Sequence, residues 1–297
     1  MVLPPMDWNL TADLEDMDRG GTRTSILSIF TPYDVGSSDA RRSLAREINE
    51  AAARMRTDHA GRYGSFATLP LPDMEASLRE LEYSFDTLHA DGVALYSNVG
   101  DRWLGHTDFT PLHEELNRRA AVVFVHPTAA LCCRNLVAAV PDPVVEFGTD
   151  TTRAIASLIF SGTTARFPNI RFIFAHGGGT MPFLIERFLG GTSDQIVPGI
   201  VTRGQPPPYV PHQPEGGALK EIRRMFFDTA QCSNPVAMGA LRKVVPVSQI
   251  LFGTDYFYRT AEETARSLAA SRIFNPQELR AIERRNAEQM FPRLRIA

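Results

Sequence analysis

Three short apolar segments of this 297-residue chain each end in a residue that can bind a metal ion or transfer a proton. The segments are residues 122–126, 172–176 and 250–255, which end in His126, His176 and Asp255. A buried strand with one polar residue at its carboxyl end is typical of parallel α/β enzymes, whose chemistry takes place at that edge of the sheet. Two histidines and one aspartate presented in this way indicate a metal-assisted site.

Each of the three residues also has a purely structural explanation. A histidine after one apolar strand is often a hydrogen-bonded core residue, the glycines after His176 suit any tight turn, and Asp255 could cap the helix that follows. These explanations weaken when the three are taken together, because parallel strands bring their carboxyl ends to one edge. We therefore predict that His126, His176 and Asp255 converge at one barrel mouth. Functional atoms of His126 and Asp255 should then lie less than about 8 Å apart.

Strand-like apolar runs alternate with helix-like segments along the chain, which is typical of a parallel sheet. We predict strands at residues 24–29, 63–69, 93–97, 122–126, 171–176, 225–228 and 250–255. We predict helices at residues 8–18, 38–59, 73–90, 110–120, 151–167, 182–189, 235–244, 260–271 and 276–290. The pattern indicates an α/β fold, a TIM-like (β/α)8 barrel that forms a single domain over residues 1–297. A closed barrel needs eight strands and the predicted strands number seven, so we expect the first strand to be missing or replaced.

Residues 190–217 are rich in glycine and proline and form the least regular part of the chain. A loop of this length is often functional or mobile. Because it follows the unit that carries His176, it could overhang the site or meet a neighbouring subunit. A plain surface excursion explains the composition equally well.

Composition excludes several classes of function. The formal net charge is −3 and the isoelectric point about 6.2, so no basic surface indicates a nucleic-acid or anionic-membrane partner. We find no apolar run of the ~20 residues that a membrane span needs. The three cysteines do not form a disulfide framework, and the N-terminal segment does not read as a signal peptide. We therefore expect a cytoplasmic protein.

Several short motifs, in their order and spacing, resemble the amidohydrolase superfamily. Within it, the chain is similar to the decarboxylases of aminocarboxymuconate semialdehyde, γ-resorcylate and 6-methylsalicylate, and most similar to the last. The main motifs are Phe124-Val125-His126-Pro127, Ala175-His176-Gly177-Gly178-Gly179 and Phe252-Gly253-Thr254-Asp255-Tyr256. Further agreement lies at residues 17–18, 67–70, 146–153 and 226–230, and the resemblance extends over residues 8–292.

This resemblance implies a metal-dependent, nonoxidative decarboxylase of an aromatic or dienoic carboxylic acid. It implies that His126 is a metal ligand, that Asp255 is a metal ligand able to handle a proton, and that His176 is the acid/base residue beside the metal. The metal expected for the family is a divalent ion, Zn or Mn. Two further residues are candidates from their positions alone. Asp228, at the end of a strand, could orient a neighbour, and His106, in the loop after residues 93–97, could reach a substrate.

One departure from the family pattern is large. The family carries a His-x-His pair on its first strand that supplies two more ligands, and this sequence contains no His-x-His. We expect metal binding to be weak or absent, either because the sequence begins too late or is shortened, or because the protein has diverged. Two alternatives stay open: a metal-dependent hydrolase of an amide or lactone, and a non-catalytic relative. We expect a homo-oligomer, a dimer or a tetramer.

Overall fold

Seven parallel strands form one curled sheet in the computed structural model, which describes residues 8–30, 36–190 and 214–295. Their order in the sheet follows their order in the chain. They are β1 (Ser25–Ser28), β2 (Tyr63–Ala67), β3 (Gly92–Tyr96), β6 (Val122–His126), β7 (Arg171–Phe174), β8 (Phe226–Asp228) and β9 (Ile250–Leu251). Two short strands, β4 (Asn98–Val99) and β5 (Arg102–Trp103), form a separate antiparallel pair.

Helices connect the strands and cover the outside of the sheet. They are α1 (Leu10–Arg19), α2 (Ser38–Asp58), α3 (Met74–Asp86), α4 (Thr110–Arg118), α5 (Asp142–Phe160), α6 (Thr163–Arg166), α7 (Ile185–Phe188), α8 (Gly217–Ile222), α9 (Pro235–Val244), α10 (Ala261–Ser271), α11 (Pro276–Arg280) and α12 (Asn286–Met290). Polar residues begin many of them, because a side-chain oxygen at the N-cap accepts a backbone N–H that the helix leaves free. Asp73 accepts the N–H of Ala76 in this way, and Thr260 forms a full capping box with Glu263.

The predicted parallel barrel with a missing strand is confirmed. Among the described residues, β1 pairs only with β2 and β9 pairs only with β8, so the sheet is a partial (β/α) barrel. The end of α12 and the residue after it enter the interior, where Met290 and Phe291 pack with Phe66. Arg171, the first residue of β7, donates to the Met290 carbonyl at 3.1 Å, which puts this segment at the amino ends of the strands. The carboxyl ends are therefore left for the site.

Several predicted boundaries are wrong, for identifiable reasons. Strands β7 and β9 end at Phe174 and Leu251, so His176 and Asp255 lie in loops just beyond the sheet. Both residues adopt left-handed φ angles, 56° and 60°, and such a conformation cannot continue a strand.

The helix predicted at residues 151–167 begins instead at residue 142, because Pro143 fits the first turn of a helix, where no amide hydrogen bond is lost. A π-helical turn at residues 281–285 interrupts the predicted helix at residues 276–290. The β4–β5 pair and helix α8 were not predicted. Most of the glycine- and proline-rich excursion, residues 191–213, lies outside the described residues. Within the part of the chain that the structure describes, no helix is long and apolar enough to cross a membrane.

Candidate active site

The last residue of β6 and the loops that follow β7 and β9 bring His126, His176 and Asp255 together. One ligand atom from each residue lies within 4.8 Å of the others. The two imidazole rings are 5.2 Å apart between centroids, and Nε2 of His176 lies 3.5 Å from Oδ2 of Asp255. The predicted convergence is confirmed, because parallel strands in chain order deliver their ends to one edge.

The His126 side chain is held in one tautomer. Its Nδ1 lies 2.9 Å from the Pro127 carbonyl oxygen, which can only accept, so Nδ1 carries the hydrogen and Nε2 keeps a free lone pair. Burial, with the nearby His176 as a smaller contribution, lowers the pKa of His126 to about 4. The ring is therefore neutral near pH 7, which is the form that binds a metal ion.

His176 and Asp255 stabilise each other's charged forms. Burial by itself lowers the pKa of His176, but the contact with Asp255 and the charge of Asp228 outweigh it, so the pKa is raised. Burial by itself raises the pKa of Asp255, but His176 and Gln231 outweigh it, so the pKa is lowered. Gln231 contributes a hydrogen bond from Nε2 to Oδ2 of Asp255 at 2.9 Å.

Asp228 supports the backbone at His176 rather than the ring. The Oδ1 atom of this buried carboxylate accepts the N–H of His176 at 2.7 Å and the N–H of Ala230 at 3.1 Å. Burial raises the pKa of Asp228 to about 6, against the lowering effect of His176. This contact agrees with the orienting role predicted for Asp228, and that role remains a prediction.

The glycines after His176 are required by packing. A Cβ atom on Gly178 would lie 2.8 Å from the ring of Phe227, and one on Gly179 would lie 2.1 Å from the Gly148 carbonyl oxygen. Both glycines also have positive φ angles, 79° and 66°. The turn therefore brings α5 and β8 close to the site, which supports the structural explanation of the glycine run.

Aromatic rings surround His126 on several sides. The ring centroids of Phe30, Phe124 and Phe147 lie 5.4, 6.4 and 6.0 Å from that of His126. Phe30 also stacks on Tyr96 at 4.7 Å and helps line a small cavity. Sequence reasoning missed these residues, because aromatic residues in apolar runs read as core.

Gln231 was also missed, although it directly follows the motif at residues 226–230. His106 lies apart from His126, His176 and Asp255 and caps a short turn in its own loop. Its Nδ1 accepts the Asp108 N–H at 3.2 Å at the start of a short turn, and its side chain is half-exposed. A substrate contact by His106 stays a prediction that this geometry does not favour.

The residues present fit a divalent metal ion. Two imidazoles and one carboxylate form the kind of donor set that catalytic zinc uses, and nitrogen and oxygen donors also suit manganese. Nε2 of His176 is buried, and at 3.5 Å from Oδ2 of Asp255 it is too far for a hydrogen bond, so it faces a position that a bound group can occupy. The three residues together have the donor atoms that a divalent metal site needs.

The sequence pattern of the amidohydrolase family matches residues 31–293, and the chain belongs to this family. It is 35% identical to a 6-methylsalicylic acid decarboxylase of Aspergillus aculeatus, over 99% of this chain and 89% of that protein. It is 34% identical to a decarboxylase of Aspergillus niger, over 97% of this chain and 80% of that protein. A dihydroxybenzoic acid decarboxylase of Polaromonas sp., solved with bound manganese and the inhibitor 2-nitroresorcinol, has the same fold. Its TM-score is 0.82 at 20% identity, over 98% of this chain and 88% of that chain.

Proposed function

We propose that this protein is a nonoxidative carboxy-lyase that removes CO2 from a small aromatic carboxylic acid, with 6-methylsalicylic acid as the first substrate to test. The convergence of His126, His176 and Asp255 within 4.8 Å carries the proposal. It is supported by relatives of 34% and 35% identity that are named decarboxylases and that align over nearly the whole chain.

His126 and Asp255 would hold a divalent metal ion, Zn or Mn, through Nε2 and a carboxylate oxygen. When bound, the ion supplies a Lewis acid for the substrate carboxylate or an adjacent hydroxyl. The fixed tautomer of His126 supports its assignment as a ligand, since Nε2 needs no rearrangement to bind.

His176 would deliver the proton. Loss of CO2 breaks the bond between the ring carbon and the carboxylate, and the electron pair left on that carbon takes up one proton. His176 is suited to this transfer because the ionised Asp255, 3.5 Å from its Nε2, favours the protonated imidazole that donates. After the transfer, the neutral ring takes up a new proton from solvent. Asp255 is the second residue able to handle a proton here.

The aromatic side chains favour an aromatic acid over a dienoic one. Phe30, Phe124 and Phe147 present rings within 6.4 Å of the His126 ring, between centroids. Offset or edge-to-face packing against such rings stabilises a flat aromatic substrate beyond simple burial.

The test is a product assay on the purified, Mn²⁺-supplemented protein. Loss of CO2 from 6-methylsalicylate leaves 3-methylphenol, so equal amounts of CO2 and 3-methylphenol are expected. A parallel panel of lactones and amides distinguishes the alternative hydrolase, which would release no CO2. Ring opening of a lactone without decarboxylation of any aromatic acid would overturn the proposal.

A further inference from the structure

A buried network of polar side chains lies next to the loop that follows His126 and does not include His176 or Asp255. Its centre is Asp150 of α5, whose side chain is fully buried. Asp150 accepts hydrogen bonds from the Ser97 hydroxyl, from Nδ2 of Asn98 at 2.7 Å and from Nε1 of Trp103 at 2.8 Å. Ser97 and Asn98 are also fully buried, so a lost bond here could not be replaced by water.

Two of these side chains extend the network to the loop that follows His126. Ser97 Oγ accepts the N–H of Thr128 at 3.2 Å, and Asn98 Nδ2 donates to the Thr128 carbonyl at 3.0 Å. The backbone N–H of Ser97 also donates to the carbonyl of His126 itself, at 2.9 Å. The network therefore holds the backbone on both sides of Pro127.

The geometry of one peptide group makes this contact specific. The Thr128 N–H and the Pro127 carbonyl belong to the same planar peptide unit and point in opposite directions. The hydrogen bond from the Thr128 N–H to Ser97 Oγ therefore fixes the direction of the Pro127 carbonyl oxygen. This oxygen accepts Nδ1–H of His126 at 2.9 Å. The orientation and tautomer of the His126 ring are set through this one plane.

We propose that Ser97 is a positioning residue for His126, and that Asp150 is the buried anchor that holds Ser97 in place. Ser97 acts through the Pro127–Thr128 peptide group and keeps Nε2 of His126 facing the site with its lone pair free. That this arrangement helps His126 to bind a metal rests on the function proposed above. That Ser97 sets the orientation and tautomer of the His126 ring does not depend on that function.

The test compares Ser97→Ala with Trp103→Phe in the full chain without metal or substrate. Ser97→Ala removes the link to the peptide group, whereas Trp103→Phe removes a different hydrogen bond to the same carboxylate. The ¹⁵N spectrum of labelled histidine reports the tautomer, with the His126 signals assigned by their loss in His126→Gln. Wild type and Trp103→Phe should show a single Nδ1–H tautomer, and Ser97→Ala should show averaged ring nitrogens.

A single tautomer in Ser97→Ala would overturn the inference. Equal averaging in Trp103→Phe would overturn it too, since the effect would then be a general loss of packing. If Ser97→Ala does not fold, Ser97→Cys is measured instead, because its sulfur is a much weaker acceptor for the Thr128 N–H, and the same outcomes are expected.

A second measurement separates this inference from the proposed function. Mn²⁺ titration, followed by the electron paramagnetic resonance signal of the free ion, should show ~10- to 100-fold weaker binding in Ser97→Ala, as for other residues that orient a ligand. Trp103→Phe should bind like the wild type. If Ser97→Ala averages the tautomers but even the wild type binds no Mn²⁺, the inference stands and the proposed function fails.

Discussion

Gln231 donates a hydrogen bond from Nε2 to Oδ2 of Asp255 at 2.9 Å, and both residues hold left-handed backbone conformations. Their φ angles are 55° and 60°, values that cost a non-glycine residue of the order of 1–3 kcal/mol each. Such conformations persist only where the surroundings impose them. The contact therefore joins two strained positions at the mouth of the barrel and presents the Asp255 carboxylate to both histidines.

The first prediction concerns this contact. Gln231→Ala and Gln231→Gly both remove a hydrogen bond that lowers the pKa of Asp255, so the pKa should rise in both. Because the ionised carboxylate is then lost at a higher pH, the acid limb of kcat/KM should move to higher pH. Gln231→Gly should be more stable than Gln231→Ala by about 1 kcal/mol, because glycine tolerates the φ angle. An acid limb that stays in place in both variants would contradict the role of Gln231.

The second prediction separates ligation from proton transfer. His126→Ala should lose both metal and turnover, whereas His176→Ala should keep metal and lose turnover by ~10²- to 10⁴-fold, the range for a general acid–base group. Metal analysis after dialysis, beside CO2-release assays, measures both quantities. His106→Ala, at a half-exposed site apart from the cluster, is the matched control. Equal metal loss in His126→Ala and His176→Ala would show that His176 is itself a ligand.

The third prediction concerns metal retention. The described residues supply three donors at most, His126, His176 and Asp255, and no fourth protein ligand completes this group among them. We expect metal to be removed by dialysis against a chelator without unfolding the protein, with activity returning when Mn²⁺ or Zn²⁺ is added. Stoichiometric metal that survives the chelator would mean that further ligands exist.

The fourth prediction is a pH dependence of stability. His113 is buried against the rings of Phe167 and Phe172, and burial, with a smaller effect of Arg166, lowers its pKa to about 4. Between about pH 6.5 and 4 the unfolded state binds this proton and the folded state does not, so acid destabilises the fold. The protonation of His113 should lower the free energy of unfolding by about 3 kcal/mol across this pH range. Urea denaturation at several pH values measures it.

His113→Phe should flatten that part of the pH dependence, because the new ring has no proton to gain. The control is Leu268→Ala, at a fully buried site in α10, which should lower the free energy of unfolding at every pH and leave the slope as in the wild type. A slope that His113→Phe does not change would mean that other groups cause the acid loss. His126, with a pKa also lowered to about 4, would then be the next residue to replace.

The fifth prediction tests the glycine turn after His176. Gly179→Ala puts a Cβ atom 2.1 Å from the Gly148 carbonyl at a φ angle of 66°, so the two elements must move apart. We expect it to cost more than about 3 kcal/mol and to reduce activity. Gly162→Ala is the control, because its φ angle is 77° but no atom lies within 4 Å of the added Cβ. Gly162→Ala should lower the free energy of unfolding by only ~1 kcal/mol. If thermal denaturation shows equal losses of stability for Gly162→Ala and Gly179→Ala, the packing argument is wrong.

Residue order alone determined most of the fold and the centre of the candidate site. Apolar runs that alternate with capped helices have few ways to fold other than as a parallel sheet, and parallel strands must bring their polar carboxyl ends to one edge. For this reason the strand at Val122–His126 and the helix at Pro235–Val244 were predicted with their observed bounds. The meeting of His126, His176 and Asp255 follows from the same constraint.

Tertiary structure alone decided what surrounds those three residues. Gln231 donates to Asp255 from a left-handed backbone position, and Asp150 reaches the His126 loop through Ser97 and Asn98. Neither contact has a periodic signal, because each joins residues that lie far apart in sequence, on the loops and helices that follow neighbouring strands. A pattern along the chain reports which face of an element is buried, whereas a hydrogen bond between two such elements depends on how they finally pack.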